Sequence, residues 1–297
     1  MTAPIPVHAL GRSGAPVRLR IGVAKFASCD GCQLTLLGLE DELLAIAERF
    51  EVVEFPEASS RRSSGPFDIL LVEGAISTPD QVREIIELRR QARLLVTIGA
   101  CATAGGIQAL RNWADHDAVR AAVYPRPELV ESLSEATPVA SHVPVDGELH
   151  GCPIDPGQLR EMVVSLALGR RPQIRDEAVC LECKRRGVVC VMVSQGQACL
   201  GPVTRTGCGA ICPTFGRGCY GCFGPKEHAN ADELAAWFEG TGRRSADVAR
   251  LFAGFTAAAE PFRSAVTARG GPRPSTTQAH GGGPDPSPST DGQDRAR

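Results

Sequence analysis

The chain has 297 residues, of which 43% are hydrophobic and 22% are charged, and its net charge is −2 at pH 7. This composition is typical of a globular protein and excludes a mostly disordered chain, while the near-neutral charge gives no electrostatic case for nucleic acid binding. The length favours two compact units with a buried core. No apolar run is long enough to cross a bilayer, and the first 20 residues lack both the apolar core of a secretory signal and the paired arginines of a folded-export signal, so we expect a cytoplasmic protein.

Predicted strands and helices alternate through the first half of the chain. Apolar and β-branched runs predict the strands, and apolar residues at spacings of three and four predict the helices. The predicted strands cover residues 18–24, 51–55, 67–73 and 94–98, and the predicted helices cover 33–50 and 79–91. This alternation favours an α/β fold with a flavodoxin-like, doubly wound parallel sheet. In such sheets, ligands gather beyond the carboxyl ends of the strands.

The second half of the chain has a different character. A helix is predicted over 158–168, but residues 179–224 are dense in Gly, Pro and Cys and short of periodicity, so we expect metal to order them. Further helices are predicted over 231–238 and 245–257. The predicted organisation is a flexible N-terminus (1–17), the flavodoxin-like domain (18–157), a small cysteine-rich domain (158–262) and a disordered Gly- and Pro-rich tail (263–297).

The chain contains 12 cysteines. Cytoplasmic thiols are held reduced, so metal binding is favoured over disulfides. The alternative, that some of these thiols are simply buried core residues, is disfavoured because they cluster with Gly and Pro and do not follow apolar periodicities.

Four cysteines belong to the flavodoxin-like half: Cys29, Cys32, Cys101 and Cys152. The first pair follows the first predicted strand and Cys101 follows the strand that ends at residue 98, so their loops meet at one edge of the sheet. Four thiols suit either tetrahedral zinc or a [4Fe–4S] cluster. Structural zinc usually takes two close pairs, whereas this set has one pair and two distant single thiols, so a redox cluster is favoured.

The cysteine-rich half contributes two further sets with nearly mirrored spacing. They are Cys180, Cys183, Cys190 and Cys199, followed by Cys208, Cys212, Cys219 and Cys222. Two zinc ribbons are the competing interpretation, but the intervals of six and eight residues are long for zinc knuckles, and Cys212-Pro213 is typical of ferredoxin-type runs. Ferredoxin-type runs can send a fourth cysteine to the other cluster, so the spacing alone leaves open which thiol belongs to which site. Sequential grouping into two sites is the working choice.

Six short motifs, in order along the chain, resemble those of a known family. They are CDGCQLTLL at 29–37, VEGAIS at 72–77, GACATAGGI at 99–107, GCPI at 151–154, CLGPVTRTGCGAICP at 199–213 and GCYGCFGP at 218–225. Together they resemble the small subunit of [NiFe] hydrogenases, and most closely the cytoplasmic type that includes the sulfhydrogenase delta subunits. The flavodoxin-like half also resembles the 20 kDa subunit of respiratory complex I.

The hydrogenase resemblance implies three [4Fe–4S] clusters and an electron-transfer role. It assigns Cys29, Cys32, Cys101 and Cys152 to a proximal cluster, Cys180, Cys183, Cys190 and Cys199 to a distal one, and Cys208, Cys212, Cys219 and Cys222 to a medial one. It implies a large-subunit partner that holds the catalytic Ni–Fe site, and flavin or iron–sulfur subunits that reduce NAD(P). This chain would then contribute no catalytic residue of its own.

Two positions depart from the respiratory members of that family. The respiratory members share this cysteine pattern but have a histidine at the position of Cys180. Their medial cluster has three irons and only three thiol ligands, whereas Cys212 offers a fourth thiol in this chain. By the logic of the resemblance, an extra thiolate lowers the cluster potential, which suits exchange with NAD(P) more than with quinone.

Two further residues and two rival functions complete the predictions. Packing and capping are favoured for Glu73 over proton exit or partner contact, and His150 is a candidate hydrogen-bond donor beside Cys152. The first rival is a subunit of the complex I type, which is disfavoured because that family pairs its first cysteines directly and lacks the cysteine-rich half. The second is a zinc-organised scaffold without redox activity.

Overall fold

The computed structural model describes residues 18–40, 49–63 and 65–271. A single five-stranded sheet organises the first half of this part of the chain. Its strands are β1 (Leu19–Lys25), β2 (Phe50–Glu54), β3 (Phe67–Glu73), β4 (Ala92–Ile98) and β5 (Gly147–Leu149). All neighbouring strands are parallel, in the order β2-β1-β3-β4-β5. This strand order is that of flavodoxin, which confirms the predicted fold class.

The central strands are apolar on both faces because helices cover both sides of the sheet. Ile69, Leu71 and Leu94 face one apolar core, and Leu70 and Leu95 face the other. All five side chains are almost fully buried. This two-sided burial explains why the runs at 67–73 and 94–98 read as continuous apolar segments.

The helices of the described part are short. They are α1 (Gly31–Leu37), α2 (Pro79–Gln91), α3 (Gly99–Ala104), α4 (His116–Val123), α5 (Pro156–Ala167), α6 (Val179–Arg185), α7 (Val191–Gln195), α8 (Ile211–Thr214), α9 (Ala231–Gly240), α10 (Ser245–Phe252) and α11 (Phe262–Thr267), with 3₁₀ turns at Ile107–Trp113, Pro127–Leu129 and Val139–Ser141. Helix α2 has the predicted bounds because Thr78 and Gln81 form a capping box around Pro79 at its start. No helix in the described ranges is long and apolar enough to cross a membrane.

Two predictions in the first half, one helix and one domain boundary, differ from the structure by more than two residues. The helix predicted over 33–50 begins as α1, which ends at Leu37, and strand β2 already starts at Phe50; residues 41–48 lie outside the described part. Helix α5 packs Leu159 and Met162 into the same core as Ile21 and Leu94 of the sheet. The boundary predicted at 157 therefore falls too early, because this helix covers the sheet.

The C-terminal helices form a small core of their own. Phe238 of α9, Phe252 of α10 and Phe262 of α11 are buried together, and the rings of Phe252 and Phe262 lie 5.5 Å apart between centroids. Helix α10 ends at Phe252, earlier than the predicted residue 257. The tail predicted as disordered from 263 begins inside α11, where Ala265 and Val266 are buried, so the prediction was wrong there. Residues 1–17 and 272–297 lie outside the described part.

Candidate functional site

The first four cysteines lie at the carboxyl edge of the sheet. Cys29 follows β1, Cys32 lies in α1, Cys101 lies in α3 directly after β4, and Cys152 follows β5. Three loops thus deliver thiols to one edge, as the predicted fold requires. The third loop depends on β5, a strand of three residues that pairs with β4 and that we did not predict from the sequence.

Backbone contacts hold these loops together. The N–H of Ala100 donates to the carbonyl of Gly151 at 2.8 Å, which ties the Cys101 loop to the Cys152 loop. The Ile154 backbone lowers the pKa of the Cys32 thiol in part, which places the Cys152 loop beside α1. At Gly99 the φ angle is +85°, and a Cβ there would collide with Cys32 Sγ. Only glycine therefore allows the start of α3 to lie directly against this thiol.

The four thiols influence one another electrostatically. Burial, followed by repulsion from the Cys152 and Cys29 thiols, raises the pKa of Cys101 to about 11. Burial also raises the pKa of Cys32, with smaller effects from Glu73 and from the thiols of Cys101 and Cys152. Neighbouring thiols with raised pKa values become thiolates together only when a positively charged centre lies between them. The donor set therefore fits a metal group better than it fits four free thiols.

Glu73 is a positioning residue for α1. Its carboxylate is buried, accepts a hydrogen bond from the Cys32 N–H at 3.0 Å, and accepts another from Gln33 Nε2 at 2.7 Å. Burial is the largest influence on the carboxyl and raises its pKa. Asp30, the residue that precedes the helix, makes no side-chain capping bond, so Glu73 serves the exposed amides of α1. The packing and capping role predicted for Glu73 is confirmed.

Two thiols of the second set, Cys180 and Cys199, lie beside Gly201. Cys180 and Cys183 lie in α6, Cys190 precedes α7, and Cys199 is buried. A Cβ on Gly201 would lie 3.3 Å from Cys199 Sγ and 3.6 Å from Cys180 Sγ. Burial, then repulsion from the Cys199, Cys183 and Cys190 thiols, raises the pKa of Cys180 to about 11. The structure therefore brings this predicted set together.

The third set lies between the other two. Burial, then repulsion from Cys208, Cys152 and Cys212, raises the pKa of Cys222 to about 12, and the Cys152 backbone opposes part of this rise. On the other side, the N–H of Cys219 donates to Cys199 Sγ at 3.1 Å. The third set therefore contacts the first set through Cys152 and the second set through Cys199.

Glu182 supports the third set and was missed in the sequence. Its carboxylate accepts hydrogen bonds from the N–H groups of Gly207 at 2.9 Å and Ala210 at 3.1 Å, and it lies 3.9 Å from Cys208 Sγ. These bonds connect α6, which carries two thiols of the second set, to the loop of the third. No motif near Glu182 predicts that it binds these backbone N–H groups, because Gly207 and Ala210 are 25 and 28 residues away along the chain.

His150 is half-buried and lines a polar cavity of about 250 Å³ together with Arg171 and Arg205. Its Nε2 lies 3.6 Å from a carboxylate oxygen of Glu148. Burial, and to a smaller extent Arg205, lowers the pKa of His150 to about 3. The imidazole is therefore neutral at pH 7, and its predicted role as a donor beside Cys152 stays a prediction.

Each set supplies four thiols, the ligand number of a [4Fe–4S] cluster. Backbone N–H groups already point at several of the sulfurs, since Cys199 Sγ accepts from Gly201 at 3.4 Å and Cys219 Sγ accepts from Gly221 at 3.5 Å. Such donors are typical of iron–sulfur sites, where they stabilise the charge of the bound group. Across residues 18–40, 49–63 and 65–271, no three His, Cys, Asp or Glu side chains converge closely enough to hold a single metal ion.

Comparison with known proteins identifies the class of protein to which the first half of the chain is similar. The family model described as NADH ubiquinone oxidoreductase, 20 Kd subunit, matches residues 29–166, which span most of the parallel sheet and the first four cysteines. A solved structure of an NAD+-reducing [NiFe]-hydrogenase in the H2-reduced state is 30% identical with a TM-score of 0.51, covering 54% of this chain and 96% of that chain. The fold is thus one shared by redox enzyme subunits.

Two curated relatives define the family more closely. Sulfhydrogenase 2 subunit delta of Pyrococcus furiosus is 38% identical over 208 residues, which cover 70% of this chain and 86% of the relative. A vhu-type F420-non-reducing hydrogenase subunit of Methanococcus voltae is 29% identical, with 80% of this chain and 95% of the relative covered. The chain belongs to the family of hydrogenase subunits that includes this delta subunit, as the sequence motifs predicted.

Proposed function

We propose that this chain is the iron–sulfur electron-transfer subunit of a cytoplasmic [NiFe] hydrogenase. It relays electrons between the Ni–Fe site of a large subunit and flavin or iron–sulfur subunits that reduce NAD(P). The observation that carries the proposal is the continuous contact between the three thiol sets, through Cys152 and Cys222 at one junction and through Cys199 and Cys219 at the other. A row of redox groups in contact is what a relay requires.

Three [4Fe–4S] clusters are the proposed cofactors. Cys29, Cys32, Cys101 and Cys152 would hold the proximal cluster, Cys208, Cys212, Cys219 and Cys222 the medial one, and Cys180, Cys183, Cys190 and Cys199 the distal one. When bound, such a cluster supplies reversible one-electron storage at a potential that its surroundings set. The order proximal, medial, distal agrees with the position of the third cysteine set between the other two.

The chain's own residues tune and insulate these sites. Burial of Cys32, Cys199 and Cys219 keeps water from the sulfurs, and the N–H groups of Gly201 and Gly221 offset part of the negative charge. In the medial set Cys212 supplies a fourth thiolate, which lowers the potential toward that of NAD(P). Glu73 holds helix α1, which carries Cys32, and Glu182 holds the loop that carries Cys208.

A second candidate is a subunit of the complex I type, which the family model over residues 29–166 favours. Eight of the 12 cysteines lie beyond residue 166, outside that match. The relatives that cover the later cysteines as well are hydrogenase subunits. We therefore rank this candidate below the hydrogenase role.

Iron and acid-labile sulfide analysis of the anaerobically purified complex tests the proposed cofactors. We expect about twelve irons and about twelve sulfides per copy of this chain, the sum for three four-iron clusters. A Cys190→Ser variant should retain about eight irons because only the distal cluster loses a ligand. Its matched control is Ser194→Ala in helix α7, which directly follows Cys190; this variant should retain all of them.

Zinc without sulfide would contradict the proposal and favour the zinc-organised scaffold instead. An iron content that is unchanged in the Cys190→Ser variant would contradict the distal assignment alone.

A further inference from the structure

Glu182 lies between the second and third cysteine sets. It belongs to helix α6, between the two thiols that this helix gives to the second set, and its carboxylate lies against the loop that carries Cys208 of the third set. One carboxylate oxygen accepts from the Gly207 N–H, and the other accepts from the Ala210 N–H and lies 3.9 Å from Cys208 Sγ. A negative charge is therefore fixed beside a ligand of the third set.

Glu182 also takes up a hydrogen-bond donor next to Cys208. N–H groups that point at the sulfurs raise the potential of an iron–sulfur cluster, because they stabilise the charge of the added electron. Elsewhere in the third set, the N–H of Gly221 donates to Cys219 Sγ at 3.5 Å. The N–H of Gly207, the residue directly before Cys208, donates to the carboxylate of Glu182 at 2.9 Å instead. At this point of the third set, the chain places a carboxylate where it could have placed a donor to sulfur.

The charge of Glu182 affects thiols of both sets. Burial is the largest influence on Cys208 and raises its pKa, and Glu182 raises it further. Burial and then neighbouring thiols raise the pKa of Cys183, where Glu182 is a smaller influence. A negative charge that disfavours the thiolate also disfavours the addition of an electron to a cluster that this thiolate holds.

Two cations of the same segment bind other groups. Arg185 forms an ion pair with Glu177 at 2.7 Å, and the Arg186 guanidinium donates to the Gly209 carbonyl at 2.6 Å. Within the part of the chain that the structure describes, no Lys or Arg forms an ion pair with Glu182. Glu182 is half-buried and lines a polar cavity of about 290 Å³. Its charge is therefore less screened by solvent than that of an exposed acid.

Support of the loop by itself needs hydrogen-bond acceptors but no negative charge. We propose that Glu182 is a positioning residue of the relay whose fixed negative charge lowers the reduction potential of the medial cluster. One electron moves in each step: the proximal cluster is oxidised as the medial one is reduced, and the medial one is oxidised as the distal one is reduced. The charge therefore changes the driving force of both steps in opposite senses. This inference rests on the proposed function and adds to it a residue that adjusts the middle potential.

Redox titration of the intact complex, followed by electron paramagnetic resonance, tests the inference. The medial signal is the one that remains in both the Cys101→Ser and the Cys190→Ser variants, which lack a proximal and a distal ligand. The test variant is Glu182→Gln, which removes the charge and keeps the size of the side chain. Its matched control is Glu177→Gln, which removes the same charge just before α6, where Arg185 already offsets it.

At the midpoint potential of the unmodified medial cluster, we expect Glu182→Gln to raise the ratio of reduced to oxidised cluster about tenfold, which equals a shift of about +59 mV for a one-electron couple. Glu177→Gln should change this ratio by less than about twofold. Glu182→Asp keeps the charge on a shorter side chain, so its potential should lie closer to that of the unmodified complex than to that of Glu182→Gln. A role in loop support alone predicts the opposite order, because Gln keeps the reach of the side chain and Asp does not.

An unchanged medial potential in Glu182→Gln with its full iron content would overturn the inference, as would an equal shift in Glu177→Gln. If Glu182→Gln loses the medial iron, a Gln173→Lys variant decides the question. Gln173 lines the same cavity as Glu182, so a lysine there opposes the carboxylate without replacing it. A rise of the reduced-to-oxidised ratio by about threefold would support the inference, and an unchanged potential would overturn it. If the unmodified complex contains no reducible iron–sulfur cluster, the proposed function itself fails and this inference fails with it.

Discussion

A Cys101→Ser variant is expected to lose H2-driven NAD(P)+ reduction by at least about a hundredfold, because a serine oxygen is a poor substitute for a thiolate ligand of iron. Cys101 lies at the start of α3, where the backbone of Ala100 is tied to Gly151. Loss of this ligand interrupts the relay at the first of the three sets. Activity assays of the complex, with electron paramagnetic resonance (EPR) spectra of the reduced protein, measure both the loss and its cause.

The second and third cysteine sets should keep their iron in this variant, since their ligands come from other loops. Thr103→Ser, two residues further along α3, is the matched control; it retains the hydroxyl that donates to the Gly99 carbonyl at 3.0 Å. Full NAD(P)-linked activity in Cys101→Ser would contradict the proximal assignment. Loss of all iron would instead indicate that the protein fails to fold.

A Gly99→Ala variant is expected to lower the free energy of unfolding by about 3 kcal/mol, since the new methyl group both collides with a buried sulfur and strains the backbone. Gly99 has φ +85°, and the colliding atom is Cys32 Sγ. Relief of the collision must move a thiol of the proximal set. We therefore expect loss of about four irons together with the loss of stability.

A Gly187→Ala variant separates the effect of the collision from the effect of the backbone strain. Gly187 has φ +66°, and a Cβ there would meet nothing within 4 Å. Only the backbone strain applies, so we expect a loss of about 1 kcal/mol and no loss of iron. Denaturant unfolding and iron analysis of both variants measure the difference. Equal effects at the two glycines would contradict the claim that Gly99 is required by its approach to Cys32.

The sheet could be predicted from the sequence because its strands carry strong local signals. Strands β3 and β4 are buried on both faces, so their apolar runs are continuous, and the bounds predicted for β3 are those observed. Helix α2 begins where Thr78 and Pro79 indicate. Strand β5 has three residues and follows a long irregular segment, and only its pairing with β4 makes it a strand. Such a strand has no signal in its own sequence.

The composition of the chain misled the prediction of the C-terminal tail. Residues after 263 are rich in Gly, Pro and charge on average, but the first few belong to α11, which Phe262 and Val266 anchor in a small apolar core. Two apolar residues order a segment only when other side chains pack against them. Phe262 and Val266 pack against Phe252 and other side chains of α9 and α10, and no sequence pattern near residue 263 predicts this packing.

The cysteine sets could be found in the sequence, but the contacts between the sets could not. Spacing groups the thiols because ligands of one site recur at characteristic intervals. The electrostatic interaction of Cys152 with Cys222 joins residues 70 positions apart, and the hydrogen bonds from Gln33 to Glu73 and from Gly207 to Glu182 also span long stretches of chain. Only the folded chain brings these groups together.

EPR of the anaerobically purified complex under H2, without any added reductant, tests the central claim most directly. We predict that H2 alone reduces the clusters of this chain and that the Cys101→Ser variant leaves the medial and distal clusters oxidised under the same gas, because electrons enter through the proximal set. Clusters that respond to dithionite but stay oxidised under H2 in the unmodified, nickel-containing complex would contradict the electron-relay account.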